Sequence, residues 1–441
     1  MTKIWESING FVWGVPALVL ILGVGLYLSI RTGFPQIVWF PSAARQFWTA
    51  LRGRGRSSFR ALCTALAATV GTGNLVGVAG AICIGGPGSI FWMWICGLLG
   101  MATKYAEATL AVRYRVKTAD GFRGGLMYMI TRGMGERWHW LAKLYCLLGV
   151  LASFGVGNAA QINAVVAGIN GLLKQDVGFP AGIILALLVG MMLMGGAARI
   201  GRTAEALVPI VSGIYIVLCV TVLILRYDQI PVAFSQILQG AFSTKAVTGG
   251  VIGSSFQALR VGCARGVFTN EAGMGTASIA HGAAEVAHPV QQGLMGIMEV
   301  FLDTILICTL TALVILCSGV SIPYGCDVGG QLTYDAFSAV YGGWVEAVLS
   351  FSICCFAFAT ILGWGLYGGR CAQFLFGSRS WCVFALAQTA MVLFGAVAPT
   401  DLIWQISETL NGLMAIPNLT ALAALSPELA RLTIDFKRKT A

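Results

Sequence analysis

Long uncharged stretches alternate with short polar ones along almost the whole chain. Seven uncharged runs have about 20 residues or more, the length an α-helix needs to cross the hydrocarbon core of a bilayer. They are Phe11–Ile30, Ala61–Ile84, Leu144–Leu173, Val177–Ala198, Ala206–Leu225, Ala347–Gly369 and Ser380–Thr400. Four further runs are interrupted by ionisable residues: Ser89–Val112, Ala246–His288, Gln292–Gly319 and Leu402–Leu425. The pattern predicts an all-α polytopic membrane protein with about eleven transmembrane helices.

Composition excludes the soluble and the disordered classes. Hydrophobic residues make up 57% of the 441 residues and charged residues 10%, with a mean hydropathy of +0.81. Ordinary soluble domains are about 25% charged, and disordered chains are poor in apolar residues. The 13 cysteines lie mostly within apolar runs and form no Cys-x-x-Cys pair, so we expect no structural metal site.

Basic residues predict the orientation, because cytoplasmic loops of membrane proteins are enriched in lysine and arginine. With the N-terminus outside, the loops that follow the first and third spans are both cytoplasmic and rich in arginine, and the C-terminal tail is basic. Few basic residues fall outside: Lys3, Lys174, Arg226 and Lys245. This bias predicts an N-out, C-in protein, and the short loops favour the inner (plasma) membrane of a prokaryote.

Two spans contain helix-weakening residues at mid-membrane depth. The second holds Val70-Gly71-Thr72-Gly73-Asn74, and the seventh holds Thr269 to Thr276 with Gly273 and Gly275. Glycine also serves close helix packing, so either motif alone has an ordinary explanation. Both, however, open a set of five spans, and the two sets enter the membrane from opposite sides. A five-plus-five inverted repeat with two discontinuous helices is typical of secondary transporters, which bind substrate near the midplane.

The repeat also predicts how the chain is organised. We expect an extra N-terminal helix and basic loop over 1–56, a first repeat over 57–228 with a break near 71–74, and a second repeat over 229–425 with a break near 266–276. A basic tail over 426–441 completes the chain.

Unwound backbone inside a membrane has a defined chemistry. Amides at the start of a half-helix attract a carboxylate, and the carbonyls that precede them can coordinate a cation. We therefore predict that Thr72, Gly73 and Asn74 bind the carboxylate of an amino acid. The carbonyls of Ala67 and Val70 are the candidates for binding a monovalent cation.

Several strings resemble one known family. Ala68 to Asn74, Gly85-Gly86-Pro87-Gly88, Lys104 to Ala111, and Asn270 to Gly275 are similar to signatures of the alanine or glycine:cation symporters. The resemblance implies the neurotransmitter:sodium symporter fold and sodium-driven uptake of alanine or glycine. It implies amides at Thr72 and Gly73 for the substrate, with sodium held by Ala67 and Val70.

The resemblance extends the predicted site to three other spans. We expect the substrate to dock between the two breaks, against Thr269, Asn270, Gly273 and Met274, with Met274 limiting side-chain size. Gln161 on the fourth span would face the substrate, and its neighbour Asn158 is a second candidate for this role. Either residue could instead form a hydrogen bond between helices.

In the ninth span, the resemblance assigns Phe356 and Thr360 to sodium and Trp364 to the pocket wall. A threonine in a membrane helix commonly bonds its own i−4 carbonyl, which is the alternative for Thr360. Typical members of the family carry serine beside this threonine, where this chain has Ala359.

Charged residues inside the spans are expected to be paired or functional. Glu271 would cap amides of the second break or pair with Arg265. Glu299 and Asp303 share a helix face and could relay protons or cations, or pair with Arg260 or Lys104. Glu107 and Lys104, spaced i,i+3, are predicted to form an ion pair. His281 and His288 have no third ligand nearby, so metal binding is not expected.

Other functions find less support. The chain has no sequence motif of a hydrolase or of a nucleotide-driven pump, so an enzyme is not expected. A channel would show pore loops or rings of charge, and neither is visible. A proton-coupled or sodium-independent amino-acid carrier on the same fold stays open. The expected partners are an amino acid, sodium and the lipid bilayer, with no nucleic acid and no obligate protein partner.

Overall fold

Helices account for nearly all of the chain. The computed structural model describes residues 9–10, 12–119, 121–242, 255–326, 329–397 and 401–440. The first half contains α1 (Val15–Thr32), α2 (Pro35–Val38), α3 (Phe40–Leu51), α4 (Arg56–Thr69), α5 (Val78–Gly85), α6 (Gly88–Tyr114), β1 (Val116–Thr118), β2 (Gly121–Arg123), α7 (Leu126–Met129), α8 (His139–Phe154), α9 (Ala160–Leu173), α10 (Gly178–Met194) and α11 (Gly196–Leu225). The second half contains α12 (Ile230–Phe242), α13 (Ser255–Asn270), α14 (Ala277–His281), α15 (Pro289–Val300), α16 (Thr309–Cys317), α17 (Gln331–Tyr341), α18 (Trp344–Phe376), α19 (Ser380–Val397) and α20 (Asp401–Thr440).

Each span predicted from hydrophobicity overlaps a helix or a pair of helices. Among the described residues, seven helices are long and apolar enough to cross a membrane, or eight when α4 and the helix after it count as one bent span. The beginning of the predicted span Ala246–His288 and the end of Ser380–Thr400 lie outside the described residues. The all-α membrane fold is confirmed, and the number of eleven crossings stays a prediction.

The outer helices expose apolar side chains, as expected of a surface that faces lipid. Each unsatisfied backbone polar group in lipid costs several kcal/mol, and a continuous helix satisfies its own backbone. On α1, α10, α11 and α19 most of the exposed residues are apolar; they include Leu20, Ile30, Ile184, Leu187, Val217, Ile224 and Leu386. Charged side chains such as Lys104 and Glu299 are instead buried inside the bundle.

Both predicted breaks are present. Helix α4 ends at Thr69, Val70 is extended (φ −75°, ψ 111°), and a π-helical turn, Gly73–Gly77, starts the next helical segment at an angle of 54° to α4. Helix α13 ends at Asn270, and three residues with positive φ follow: Glu271 (51°), Gly273 (96°) and Gly275 (78°). Both glycines therefore adopt a left-handed conformation that side-chain-bearing residues rarely take up.

Some elements were not predicted. An antiparallel hairpin of β1 and β2 and the amphipathic helix α3 lie within predicted loops. Helix α20 runs for 40 residues to Thr440 despite Pro417 and Pro427, so the predicted basic tail continues the last helix.

Candidate transport site

The first break is stabilised by one asparagine. Asn74 Oδ1 accepts a hydrogen bond from the Gly71 amide at 2.8 Å, and Asn74 Nδ2 donates to Asp303 Oδ1 at 2.8 Å. In an uninterrupted helix, the Gly71 amide would donate to the Ala67 carbonyl. Because Asn74 Oδ1 takes this amide, the Ala67 carbonyl loses its intrahelical donor. The Asn74 amide donates to the Gly71 carbonyl at 3.2 Å and not to Val70, so the Val70 carbonyl also lacks its intrahelical donor.

A side-chain oxygen from the second repeat lies against the same break. Thr360 on α18 is 3% exposed, and its hydroxyl has no hydrogen-bond partner among the described residues, so it does not bond its own i−4 carbonyl. A Cβ placed on Gly71 would lie 3.0 Å from Thr360 Oγ1. A buried hydroxyl without a partner is costly unless a ligand satisfies it. The break, the freed carbonyls and this hydroxyl together form an oxygen-rich site between α4 and α18.

Predicted substrate residues from three helices meet beyond the break. Thr72 Oγ1 donates to Gln161 Oε1 at 3.2 Å, and Gln161 Nε2 donates to the Val156 carbonyl at 3.1 Å. A Cβ on Gly73 would lie 3.7 Å from Thr269. The side chains of Thr72, Gln161 and Thr269 are at most 5% exposed, so they lie inside the helix bundle.

Asp303 connects the two breaks. Besides accepting from Asn74, its carboxylate accepts from the Thr304 hydroxyl at 2.8 Å, and Thr304 Oγ1 accepts from Asn270 Nδ2 at 3.2 Å. Asn270 Oδ1 in turn caps the Ala272 amide at 2.9 Å. The sequence suggested that Asp303 is part of a relay or pairs with Arg260 or Lys104, and its bond to Asn74 spans 229 residues, which no local pattern indicates.

Two predicted site residues of the second break face elsewhere. The Gly273 amide donates to Glu107 Oε1 at 3.0 Å, and its carbonyl accepts from Asn418 Nδ2 at 2.8 Å. Met274 is fully buried in the hydrophobic core. A Cβ on Gly273 would meet Leu419 and Ile21. Met274 shares its hydrophobic cluster with Trp364, and its size-limiting role stays a prediction.

The predicted ion pair of Lys104 and Glu107 is wrong. Glu107 accepts from the amides of Gly273 and Gly275 and from Asn418, and thus stabilises the unwound segment. Lys104 Nζ instead binds Glu299 Oε1 at 2.8 Å, one of the alternatives for Glu299. The i,i+3 spacing places both residues on one face of α6, but Lys104 binds a carboxylate on α15, and Glu107 Oε1 accepts from amides of the second break and from Asn418.

Trp364 on α18 is hydrogen-bonded to the second break, and its predicted role as a wall of the pocket stays a prediction. Its indole Nε1 donates to Glu271 Oε1 at 3.0 Å, and Glu271 Oε2 accepts from Thr276 at 2.7 Å. A Cβ on Gly157 would lie 2.3 Å from the Trp364 Cβ, so only glycine lets α18 approach the helix that carries Gln161. The neighbouring Asn158 bonds the Gln388 carbonyl at 2.7 Å, the inter-helix role that was its alternative.

A buried polar chain links the two repeats on the side of the site that is predicted to be cytoplasmic. Glu299 binds Lys104 with one oxygen and His281 Nε2 with the other, each at 2.8 Å. His281 Nδ1 meets Gln292 at 2.6 Å, and Gln292 accepts from the Ser58 hydroxyl. Ser58 and His281 lie on the two broken helices, whereas Gln292 and Glu299 lie on α15. These hydrogen bonds therefore connect both broken helices to α15.

Buried polar groups at two helix breaks inside an apolar bundle are typical of multi-pass membrane transporters. The sequence model of the sodium:alanine symporter family matches residues 1–441. The chain belongs to this family. A sodium/alanine symporter, AgcS, from Methanococcus maripaludis is 40% identical over 96% of this chain and 94% of that protein. The amino-acid carrier protein AlsT of Bacillus subtilis is 35% identical over 98% of this chain and 91% of its own length.

Solved structures show the same fold. The transporter MhsT in complex with L-phenylalanine aligns with a TM-score of 0.56 and 13% identity, over 85% of this chain and 97% of its own. A mutant manganese transporter from Eremococcus coleocola aligns with a TM-score of 0.55 and 15% identity, over 88% of this chain and 79% of its own. The predicted neurotransmitter:sodium symporter fold is thereby confirmed.

Proposed function

We propose that this protein imports a small neutral amino acid, alanine or glycine, together with sodium, by alternating access across the plasma membrane of a prokaryote. The observation that carries the proposal is the buried, unpartnered Thr360 hydroxyl beside the first break. Sodium would bind this oxygen together with the carbonyls of Ala67, Val70 and Phe356. Family membership supports sodium as the coupling ion.

Sodium would order the first break and so complete the substrate site. The amides of Thr72 and Gly73 lie at the start of a helical segment, where the partial positive charge favours a carboxylate. Gln161 is hydrogen-bonded to Thr72 and would orient the polar end of the substrate. Gly73 and Thr269 lie close together, so a substrate at the first break would also contact the second repeat, and family membership favours alanine as that substrate.

The test is a substitution of the unpartnered hydroxyl. We expect Thr360→Ala to raise the sodium concentration for half-maximal alanine uptake by about tenfold, because one ligand of a charged ion is lost. Thr360→Ser keeps the oxygen and should stay close to wild type. Thr389→Ala is a matched control, because Thr389 bonds its own i−4 carbonyl at 2.8 Å on α19. An unchanged sodium dependence in Thr360→Ala would overturn the assignment.

Proton coupling is a second candidate, favoured by one observation. The Asp303 carboxylate is hydrogen-bonded toward both breaks, so its protonation would change how the breaks are held. A Bacillus subtilis relative that is 32% identical is named a putative sodium/proton-dependent alanine carrier protein, YrbD. In this mechanism, uptake would follow a proton gradient without sodium, and Asp303→Asn would abolish it.

A further inference from the structure

Four arginines from three helices converge on one groove at the ends of the bundle. The groove has a volume of about 840 Å³ and lies between the last turn of α1, the last turn of α6 and the final turns of α20. We name it the arginine groove after its basic lining residues, Arg31, Arg113, Arg431 and Arg438. It lies apart from the substrate site, at the predicted cytoplasmic ends of these helices.

The carboxylates around the arginine groove neutralise only part of its charge. Glu428 is shared by Arg113 and Arg431, each at 2.8 Å. Asp435 is bound by Lys439 at 2.8 Å and by His288 at 3.4 Å. Among the described residues, neither Arg31 nor Arg438 has a hydrogen-bond or ion-pair partner. Asp435 also lines the groove, but its carboxylate is engaged by Lys439 and His288, so the guanidinium groups of Arg31 and Arg438 line the groove without an ion-pair partner among the described residues.

The position of the arginine groove favours a lipid. Ile30 precedes Arg31 and is 63% exposed, and Ile434 in the groove wall is 53% exposed, so apolar surface adjoins the unpaired charges. Basic pockets between transmembrane helices on the cytoplasmic side attract anionic lipid headgroups. A single water occupies about 30 Å³, so the groove is large enough for a headgroup with its glycerol backbone.

We propose that the arginine groove binds an anionic phospholipid of the facing leaflet. The phosphodiester lies between Arg31 and Arg438, whose planar donors match phosphate oxygens. One acyl chain lies along the exposed Ile30 and Ile434. The lipid thereby bridges α1, which is outside the two repeats, and α20, which ends the second repeat.

The test measures lipid retention and so does not depend on transport. Purified protein in nanodiscs of phosphatidylcholine is titrated with phosphatidylglycerol, and bound lipid is counted by native mass spectrometry. We expect the double variant Arg31→Gln/Arg438→Gln to bind phosphatidylglycerol about 25-fold more weakly, since each arginine near an anionic lipid contributes roughly fivefold. Arg31→Lys/Arg438→Lys keeps both charges and should recover most of the affinity.

Controls separate this site from general surface charge and from free phosphate. Arg202→Gln removes an exposed arginine on α11 whose described bond is to the Ala198 carbonyl of its own helix, and it should leave lipid binding unchanged. Equal lipid binding by the double glutamine variant and wild type would overturn the proposal. Displacement of the lipid by millimolar inorganic phosphate, with equal affinity for free phosphate and for phosphatidylglycerol, would overturn the lipid assignment.

Discussion

At the scale of single residues, the Asn74 side chain makes more hydrogen bonds than any other described side chain of the first break. It caps Gly71, it binds the Asp303 carboxylate, and it thereby frees the Ala67 carbonyl. One side chain thus keeps the helix open and links the open segment to the second repeat. A fully helical path through Gly71 would remove the backbone ligands that the proposed mechanism requires.

We expect Asn74→Ala to abolish amino-acid uptake while folded protein is still obtained. The substitution leaves the Gly71 amide and Asp303 without their buried partner, which costs about 1–3 kcal/mol and favours closure of the break. Uptake into proteoliposomes and elution in size-exclusion chromatography measure the two effects. Asn170→Ala is the control, because Asn170 bonds Asp176 and the Val177 amide near the end of α9. Transport retained at the wild-type rate would contradict the role of Asn74.

Sequence reasoning identified many of these residues but few of their partners. Thr72, Asn74 and Gln161 stood out because polar residues in apolar spans are rare. Asp303 as the partner of Asn74, and Asn418 as the partner of Gly273, come from helices far along the chain. Such pairs depend on how the helices pack, which the hydrophobic pattern does not encode.

At the scale of helices, the buried pair of Lys104 and Glu299 joins the first repeat to the second. Both side chains are at most 1% exposed, so neither charge is solvated by water. Removing one partner leaves an uncompensated charge inside the bundle, which is far costlier than the loss of an exposed pair. The pair therefore fixes α6 against α15 and, through His281, the inner end of the second broken helix.

We expect Lys104→Met to lower the free energy of unfolding by about 3–5 kcal/mol. Lys104→Met/Glu299→Gln should recover part of this loss, because the unpaired carboxylate is gone. Thermal unfolding in detergent, followed by intrinsic fluorescence, gives the ranking of melting temperatures. Arg56→Gln, in an exposed pair with Glu205, should cost less than about 1 kcal/mol. A double variant that is less stable than Lys104→Met would contradict this account of the pair.

Helix positions were predictable, whereas their details were not. A bilayer requires apolar segments that satisfy their own backbone hydrogen bonds, so the apolar runs predicted helices. Glycine and polar residues inside two of the runs predicted the breaks, and both helices and breaks are present. The β1–β2 hairpin and the extension of α20 to Thr440 lie outside the apolar runs, where the bilayer imposes no pattern. The i,i+3 spacing predicted a pair of Lys104 and Glu107 within one helix. It could not indicate Glu299, which comes from another helix and is the residue that Lys104 binds.

At the scale of the whole molecule, the charge distribution predicts which face lies in the cytoplasm. The exposed Cys326 follows α16 in a loop that is predicted to be outside, and Ser378 lies between α18 and α19 in a loop predicted to be inside. In a Cys382→Ser background, a membrane-impermeant maleimide added to intact cells should label Cys326. With Cys326 also replaced by serine, it should label Ser378→Cys only after the cells are opened. The reverse pattern would contradict the N-out orientation.

The central claim is that sodium binding at the first break drives transport of a small amino acid. The most direct measurement is uptake of labelled alanine into proteoliposomes, with an inward sodium gradient compared with an inward proton gradient in sodium-free buffer. The account predicts accumulation with the sodium gradient alone, and a loss of this sodium response at low sodium in Thr360→Ala. Accumulation that needs only the proton gradient would contradict it and would move coupling to Asp303.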